Sequence, residues 1–256
     1  MNNNKKFNLA TAATMSAAAL FAAAPASAGS LDFTGGANFG TCDGAITCTV
    51  NGFTLTAGET GDSPFSGDGA TLAEKEVNGV YGLGVQHSPG GSNGGGSQLE
   101  VDRYETLSID FKESIVKSLD LVFLYEAGPN TTHFGDALNE VASVVAGGFT
   151  GTLTVLDELT AEWSWNGITQ TVSAKSNADG TGGGWFSISN PFDDVKVSSV
   201  ELLAEPGEPA NPLLTGERSD YSLGGIATVP EPTAVIGLGA LALSAFGLRK
   251  GKESAA

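Results

Sequence analysis

The chain has 256 residues, with 12 Lys and Arg against 29 Asp and Glu and a formal net charge of −17. So acidic a chain disfavours binding to nucleic acid or to anionic polysaccharide, since each phosphate or carboxylate contact needs a cation that is scarce here. A surface of this kind suits solubility or weak capture of divalent cations.

From the N-terminus, Lys5 and Lys6 precede an Ala-rich apolar stretch, 9–24, and Ala26-Ser27-Ala28 offers a small-residue cut before Gly29. These are the three parts of a secretory signal peptide, so 1–28 is expected to be removed and is set aside from the fold. No Cys follows the apolar stretch, which leaves no lipoprotein anchor. Cys42 and Cys48 come next, with five residues between them that include Gly44. In an oxidising compartment such a pair is expected to form a disulfide, and no further Cys or His stands nearby to make a metal site. A bridge over so short a loop is expected to pin a hairpin without holding the whole domain.

Segments of alternating apolar residues then recur between clusters of Gly, Asn, Asp, Ser and Pro: 31–39, 46–56, 98–111, 116–125, 149–156, 161–172, 185–189, 195–203 and 221–226. Period two with turn residues between predicts an antiparallel all-β domain, a jelly-roll-like β-sandwich over 29–228. Leu107, Ile109 and Phe111 share one face, as do Leu119, Leu121, Phe123 and Tyr125, with a turn expected over 112–117. Val122 and Leu124 are apolar where Ser108 and Asp110 are polar, so only the later strand should be covered on both faces. One helix is expected, over 136–146, with Asp136 as N-cap and Leu138, Val141 and Val145 on one side. Stretches 61–69 and 88–97 read as Gly-rich loops, and 205–212 as a long loop before the closing strand.

The tail is built differently. Val229-Pro230-Glu231-Pro232 is followed by 16 uncharged residues, 233–248, and then by Arg249, Lys250 and Lys252. As a helix that run would reach roughly 24 Å, slightly short of a hydrocarbon core of about 30 Å. It is apolar on every face, and Gly237, Gly239 and Gly247 weaken it as a soluble helix. The basic residues after it should stay cytoplasmic, which puts everything before Pro230 outside. In this order, and at this distance from the C-terminus, 229–252 resembles the PEP-CTERM sorting signal of bacterial exported proteins. The resemblance implies an exosortase that reads and cleaves the tail, a transient membrane anchor, and an association with extracellular polysaccharide. The close of the domain, Asp220-Tyr221-Ser222-Leu223 running into the motif, is similar to that of many such ectodomains. Five of the 12 basic residues, and Glu231 and Glu253 among the 29 acidic ones, fall in the targeting segments, so the exported part holds 7 against 27, a charge of −20.

Patterns that carry chemistry are few. Gly90-Gly91-Ser92-Asn93-Gly94 has the letters of a nucleophile elbow without its strand-to-helix turn. Gly82-Leu83-Gly84 lacks the third glycine of a dinucleotide loop, that place being His87. His87 and His133 have no ligand-like neighbours and read as loop residues. Asn177 to Thr181 opens like a calcium loop but lacks the bidentate Glu, Ile188 standing at that place. A structural calcium would draw further oxygens from Asp62, Asp68, Glu100 or Asp102. Trp163 and Trp165 lie two apart, so on a strand both rings point one way, as a platform for a sugar or as core. The domain is thus expected to be a noncatalytic surface or extracellular-matrix protein. A carbohydrate-binding or adhesin module using Trp163 and Trp165, and a secreted hydrolase built on paired carboxylates, are the alternatives.

Overall fold

Alternation sets the strands. In β9 (Phe149–Asp157) Gly151, Leu153 and Val155 are buried and Thr152 and Thr154 half-buried, and in β10 (Thr160–Trp165) Ala161, Trp163 and Trp165 turn inward. The computed structural model describes residues 28–36, 40, 42–60, 69–86, 99–102, 104–126, 138–157, 159–177, 184–204, 208–209 and 219–229. All of these fall within one unit, Ala26–Glu231. Described strands are β1 (Ser30–Asp32), β2 (Thr47–Val50), β3 (Phe53–Glu59), β4 (Thr71–Val77), β5 (Val80–Gln86), β6 (Glu105–Leu124), β7 (Leu138–Asn139) and β8 (Val141–Ala146). After β9 and β10 come β11 (Ile168–Asn177), β12 (Gly184–Ser189), β13 (Lys196–Ala204), β14 (Glu208–Pro209) and β15 (Ser222–Val229). The described domain is all-β, and every pairing is antiparallel.

Seven strands close on themselves in the order β6-β13-β8-β9-β10-β11-β12 and back to β6. The 20-residue β6 makes this closure possible. Its first half pairs β13 and β3, with Thr106 opposite Leu203 and Leu55 opposite Ile109. Its second half pairs β12 and β15, with Ile188 opposite Leu119 and Leu223 opposite Leu121. Because β12 and β13 are joined by the short turn 190–195, the two halves of β6 run in opposite senses between the ends of the ring. β6 therefore starts and finishes at one end and bends at the other, around exposed Lys112 and Glu113. Gly29, Val229 and the turns Asn51-Gly52, Gly147-Gly148 and Asn166-Gly167 share the bend's end.

Three expectations are corrected. Residues 136–146 hold no described helix: β7 and β8 are strands, and the β-branched Val141, Val144 and Val145 fit β8 between β9 and β13 in the ring. The expected turn at 112–117 is a bend inside one continuous strand, and the two halves of β6 pair different neighbours instead of each other. Segments 46–56 and 161–172 are each hairpins, broken at Asn51-Gly52 and Asn166-Gly167, where both residues of each pair have positive φ. The expected covering of β6 holds in part. Leu121 to Tyr125 are all buried and Asp110 is exposed, but Glu105 to Leu107 are buried in succession as well. Phe123, at positive φ, packs with Val122 and Tyr125 apart from the cluster that holds Leu119 and Leu121.

Cys42 and Cys48 are disulfide-bonded, with Cα atoms 5.2 Å apart. The bridge fixes more than a hairpin. Leu72 of β4 exchanges hydrogen bonds with this loop, its N–H donating to Ala45 O and its carbonyl accepting from Gly44 N, both at 2.8 Å. Ala57 N on β3 donates to Ile46 O at 2.9 Å, so the loop joins the β3 edge to the β4 edge. A second circuit thus runs β6-β3-loop-β4-β5-β15-β6. One buried apolar cluster, from Leu31 and Phe53 through Leu121 to Trp163 and Phe192, fills the interior.

Candidate functional site

At the end where β6 starts and finishes, carboxyl groups from distant parts of the chain converge. Glu59 ends β3 opposite Glu105, the first residue of β6. Glu100 is held by a bridge to Val85, two residues before Asp102. Glu140 sits between β7 and β8, and Asp220 just before β15, next to Tyr221, which bridges to Val101. Glu100, Glu105 and Glu140 are buried. Close backbone approach makes room for them: a Cβ on Gly84 would collide with the Leu99 carbonyl and Glu100 backbone. Leu99 and Phe123, at φ 82° and 67°, are strained non-glycine positions beside the cluster.

Lys75 of β4 meets this cluster, its Nζ 2.6 Å from Glu100 Oε1 and 5.1 Å above the Phe123 ring. Tyr125 N–H donates to Glu140 Oε2 at 2.6 Å, and Asp102 N–H to Glu105 Oε2 at 3.0 Å. These contacts do not offset burial. Loss of water holds the Glu140 carboxyl well above the usual range, helped by the charge of Asp220, a hydrogen bond to Asp220, and Glu100. Burial likewise raises Glu100, with Asp220 adding to it and Lys75 opposing. Glu105 is pushed up to about 8, by burial first and then by Asp102, Glu59 and Asp220. At neutral pH Glu105 therefore keeps its proton, and burial pushes Glu100 and Glu140 in the same direction.

Other sequence candidates fall elsewhere. Trp163 and Trp165 face the core, 1% and 2% exposed, and Trp163 Nε1 donates to Pro191 O at 3.0 Å. The sugar platform is thereby corrected: the rings pack against Phe192, at centroid distances of 6.3 and 5.6 Å, and present no face to a ligand. Among the described residues, no group of three or more His, Cys, Asp or Glu is placed to hold a metal ion. Glu100 and Asp102, named as calcium oxygens, belong to the acidic cluster. Asp62, Asp68, residues 178–181, His87, His133 and 90–94 lie outside the described residues. Of the expected sorting motif only Val229 is described, as the last residue of β15, opposite Ile115. Pro230, Glu231, Pro232, the run 233–248 and Arg249, Lys250 and Lys252 lie outside, as do residues 1–27 of the expected signal peptide. Among the described residues no helix is long and apolar enough to cross a membrane. Glu105, Glu140 and Asp220 were not singled out from sequence. The chain matches no family model, no curated protein and no solved structure.

Proposed function

We propose that this chain is an exported, noncatalytic surface or extracellular-matrix protein. Its β domain is delivered by the leader 1–28, held at the membrane by 233–248, and cut at the Pro-flanked motif by an exosortase, in a setting of extracellular polysaccharide. The observation that carries this reading is that the described strands lie between the two targeting segments: β1 opens at Ser30, one residue past the expected signal-peptidase site, and β15 closes at Val229, the first residue of the motif. Both circuits close within those limits, so neither targeting segment is needed to complete a described strand. The layers β3-β6-β13-β8-β9 and β5-β15-β6-β12-β11-β10, joined by the β9–β10 hairpin and the bend of β6, are read as a jelly-roll-like sandwich. Against a hydrolase weighs the burial of Glu100 and Glu140, since an acid and its partner must reach a substrate.

Mass spectrometry of the C-terminal peptide tests the reading. Exported protein is expected to lack 249–256 and the apolar run, ending near Pro230 to Pro232, where the two prolines keep the backbone extended for a protease cleft. Glu231→Ala should leave uncut, membrane-held protein with an unchanged melting transition. Natively exported protein that still ends at Ala256 would overturn the reading.

A further inference from the structure

The two ends of the domain differ in chemistry. At the end holding the bend of β6, Val229 pairs with Ile115 and Thr228 N–H donates to Gly29 O at 2.8 Å, so the chain enters and leaves side by side. Three turns beside this exit carry apolar side chains that the core leaves uncovered. Phe149 follows Gly147-Gly148, Ile168 follows Asn166-Gly167, and Val195 precedes β13, at 48%, 45% and 42% exposure. Phe149 leans edge-on against Trp165, 5.8 Å between centroids, which fixes its ring at the rim. Exposed Lys112, Lys117 and Lys196 lie at the same end, with Asp110, Glu113, Asp193 and Asp194 as the neighbouring acids and Lys117 paired to Asp194 at 2.6 Å. Three lysines against four acids bring this end nearer to balance than the exported part as a whole, with 7 against 27. The opposite end holds the carboxyl cluster, besides two exposed leucines, Leu156 and Leu159.

What distinguishes the exit end is the chain that follows it. Val229 to Thr233 is four residue steps, at most about 14 Å when extended, and Thr233 opens the uncharged run to Leu248. A domain on so short a tether keeps its exit end at the membrane interface. We propose that this end is a membrane-facing rim. While the chain is tethered, Phe149, Ile168 and Val195 enter the headgroup boundary of a phospholipid surface, and Lys112 and Lys196 face lipid phosphates. The rim holds the Pro-flanked segment against the bilayer and turns the acidic end away from it. The proposal rests on reading 233–248 as a membrane span.

The test uses the full-length chain, native disulfide intact, reconstituted in vesicles of phosphatidylglycerol and phosphatidylcholine that contain a headgroup-quencher lipid. Single thiols introduced by Ile168→Cys, Val195→Cys or Leu156→Cys carry a fluorophore. Labels at 168 and 195 are expected to be quenched several-fold more than the label at 156. Lys112→Glu with Lys196→Glu should reduce that difference while leaving melting unchanged. Equal quenching in a chain that floats with the vesicles and resists alkaline extraction overturns the rim and leaves the tether standing. Extraction by alkali overturns both. A cross-link between two copies through the 168 thiol, without quenching, puts a second copy on this end and overturns the lipid surface.

Discussion

Glu105 shows how burial turns a carboxylate into a pH-dependent element of stability. An unfolded Glu titrates near 4.5, whereas Glu105 in the fold keeps its proton up to about 8. Between those values the folded state binds more protons than the unfolded one, so stability falls as pH rises, by about 1.4 kcal/mol per unit for one such proton. The contribution is complete below about pH 4.5 and lost on passing 8; Glu100 and Glu140 shift in the same direction. The melting temperature is therefore expected to fall between about pH 5 and pH 8, and Glu105→Gln, which keeps a neutral side chain there, should flatten the slope. A wild-type melting curve that rises over that interval would sink the assignment. Little of this was legible from the residues alone. Glu100 and Asp102 are near neighbours in sequence and could be named as oxygens, but Glu105, Glu140 and Asp220 meet only because both ends of one bent strand come to the same end of the domain.

Strand periodicity was the most legible signal, and it misled where it ran through a turn or past a competing pattern. Asn51-Gly52, Asn78-Gly79 and Asn166-Gly167 each carry positive φ at both residues, the conformation that two-residue hairpins need and that Asn-Gly supplies at least cost. These pairs mark the hairpins β2–β3, β4–β5 and β10–β11 more sharply than alternation does. The β4–β5 hairpin was missed because its tip is followed by Gly82 and Gly84, which alternation scores as loop. In the fold they are tight packing points, Gly82 against Ser222 and Val122 and Gly84 against Leu99. Residues 136–146 fit a helical spacing and a strand equally well, and pairing on both edges by β9 and β13 decided for the strand. Likewise, that Trp163 and Trp165 share a face was readable, but which side faces the core follows from closure of the ring. Gly151, directly opposite Trp165, is needed because a Cβ there would meet the Trp163 ring. Trp163→Ala should destabilise by about 3–5 kcal/mol through the cavity, and it also leaves Pro191 O without its indole donor. Urea unfolding checks this, and a change within measurement error would mean that the ring is not core.

Two circuits sharing one strand give the molecule two ways to come apart. The ring β6-β13-β8-β9-β10-β11-β12 is hydrogen-bonded between strands throughout. The other circuit closes through a disulfide-bonded loop, where Gly44, Ala45 and Ile46 link β4 to β3. That Cys42 and Cys48 pair was legible from their spacing and the expected export. That the bridged loop staples two strands was not, since β4 was unrecognised and an edge cannot be located without its neighbour. In chain-entropy terms, opening a bridge over so short a loop costs about 2 kcal/mol, and the lost staple exposes the β4 edge to unwanted pairing. Reduction, or the double substitution Cys42→Ser with Cys48→Ser, is expected to lower stability by about that amount, and intact mass after thiol trapping should report two alkylated thiols only when reductant is present. The loss should also be local. In hydrogen exchange the amides of Gly44, Ala57 and Leu72 should lose protection on reduction, while those of β9, β10 and β11 keep theirs. Equal loss in both circuits would show that the bridge supports the whole domain, and no loss at Leu72 would show that the loop holds β4 without it.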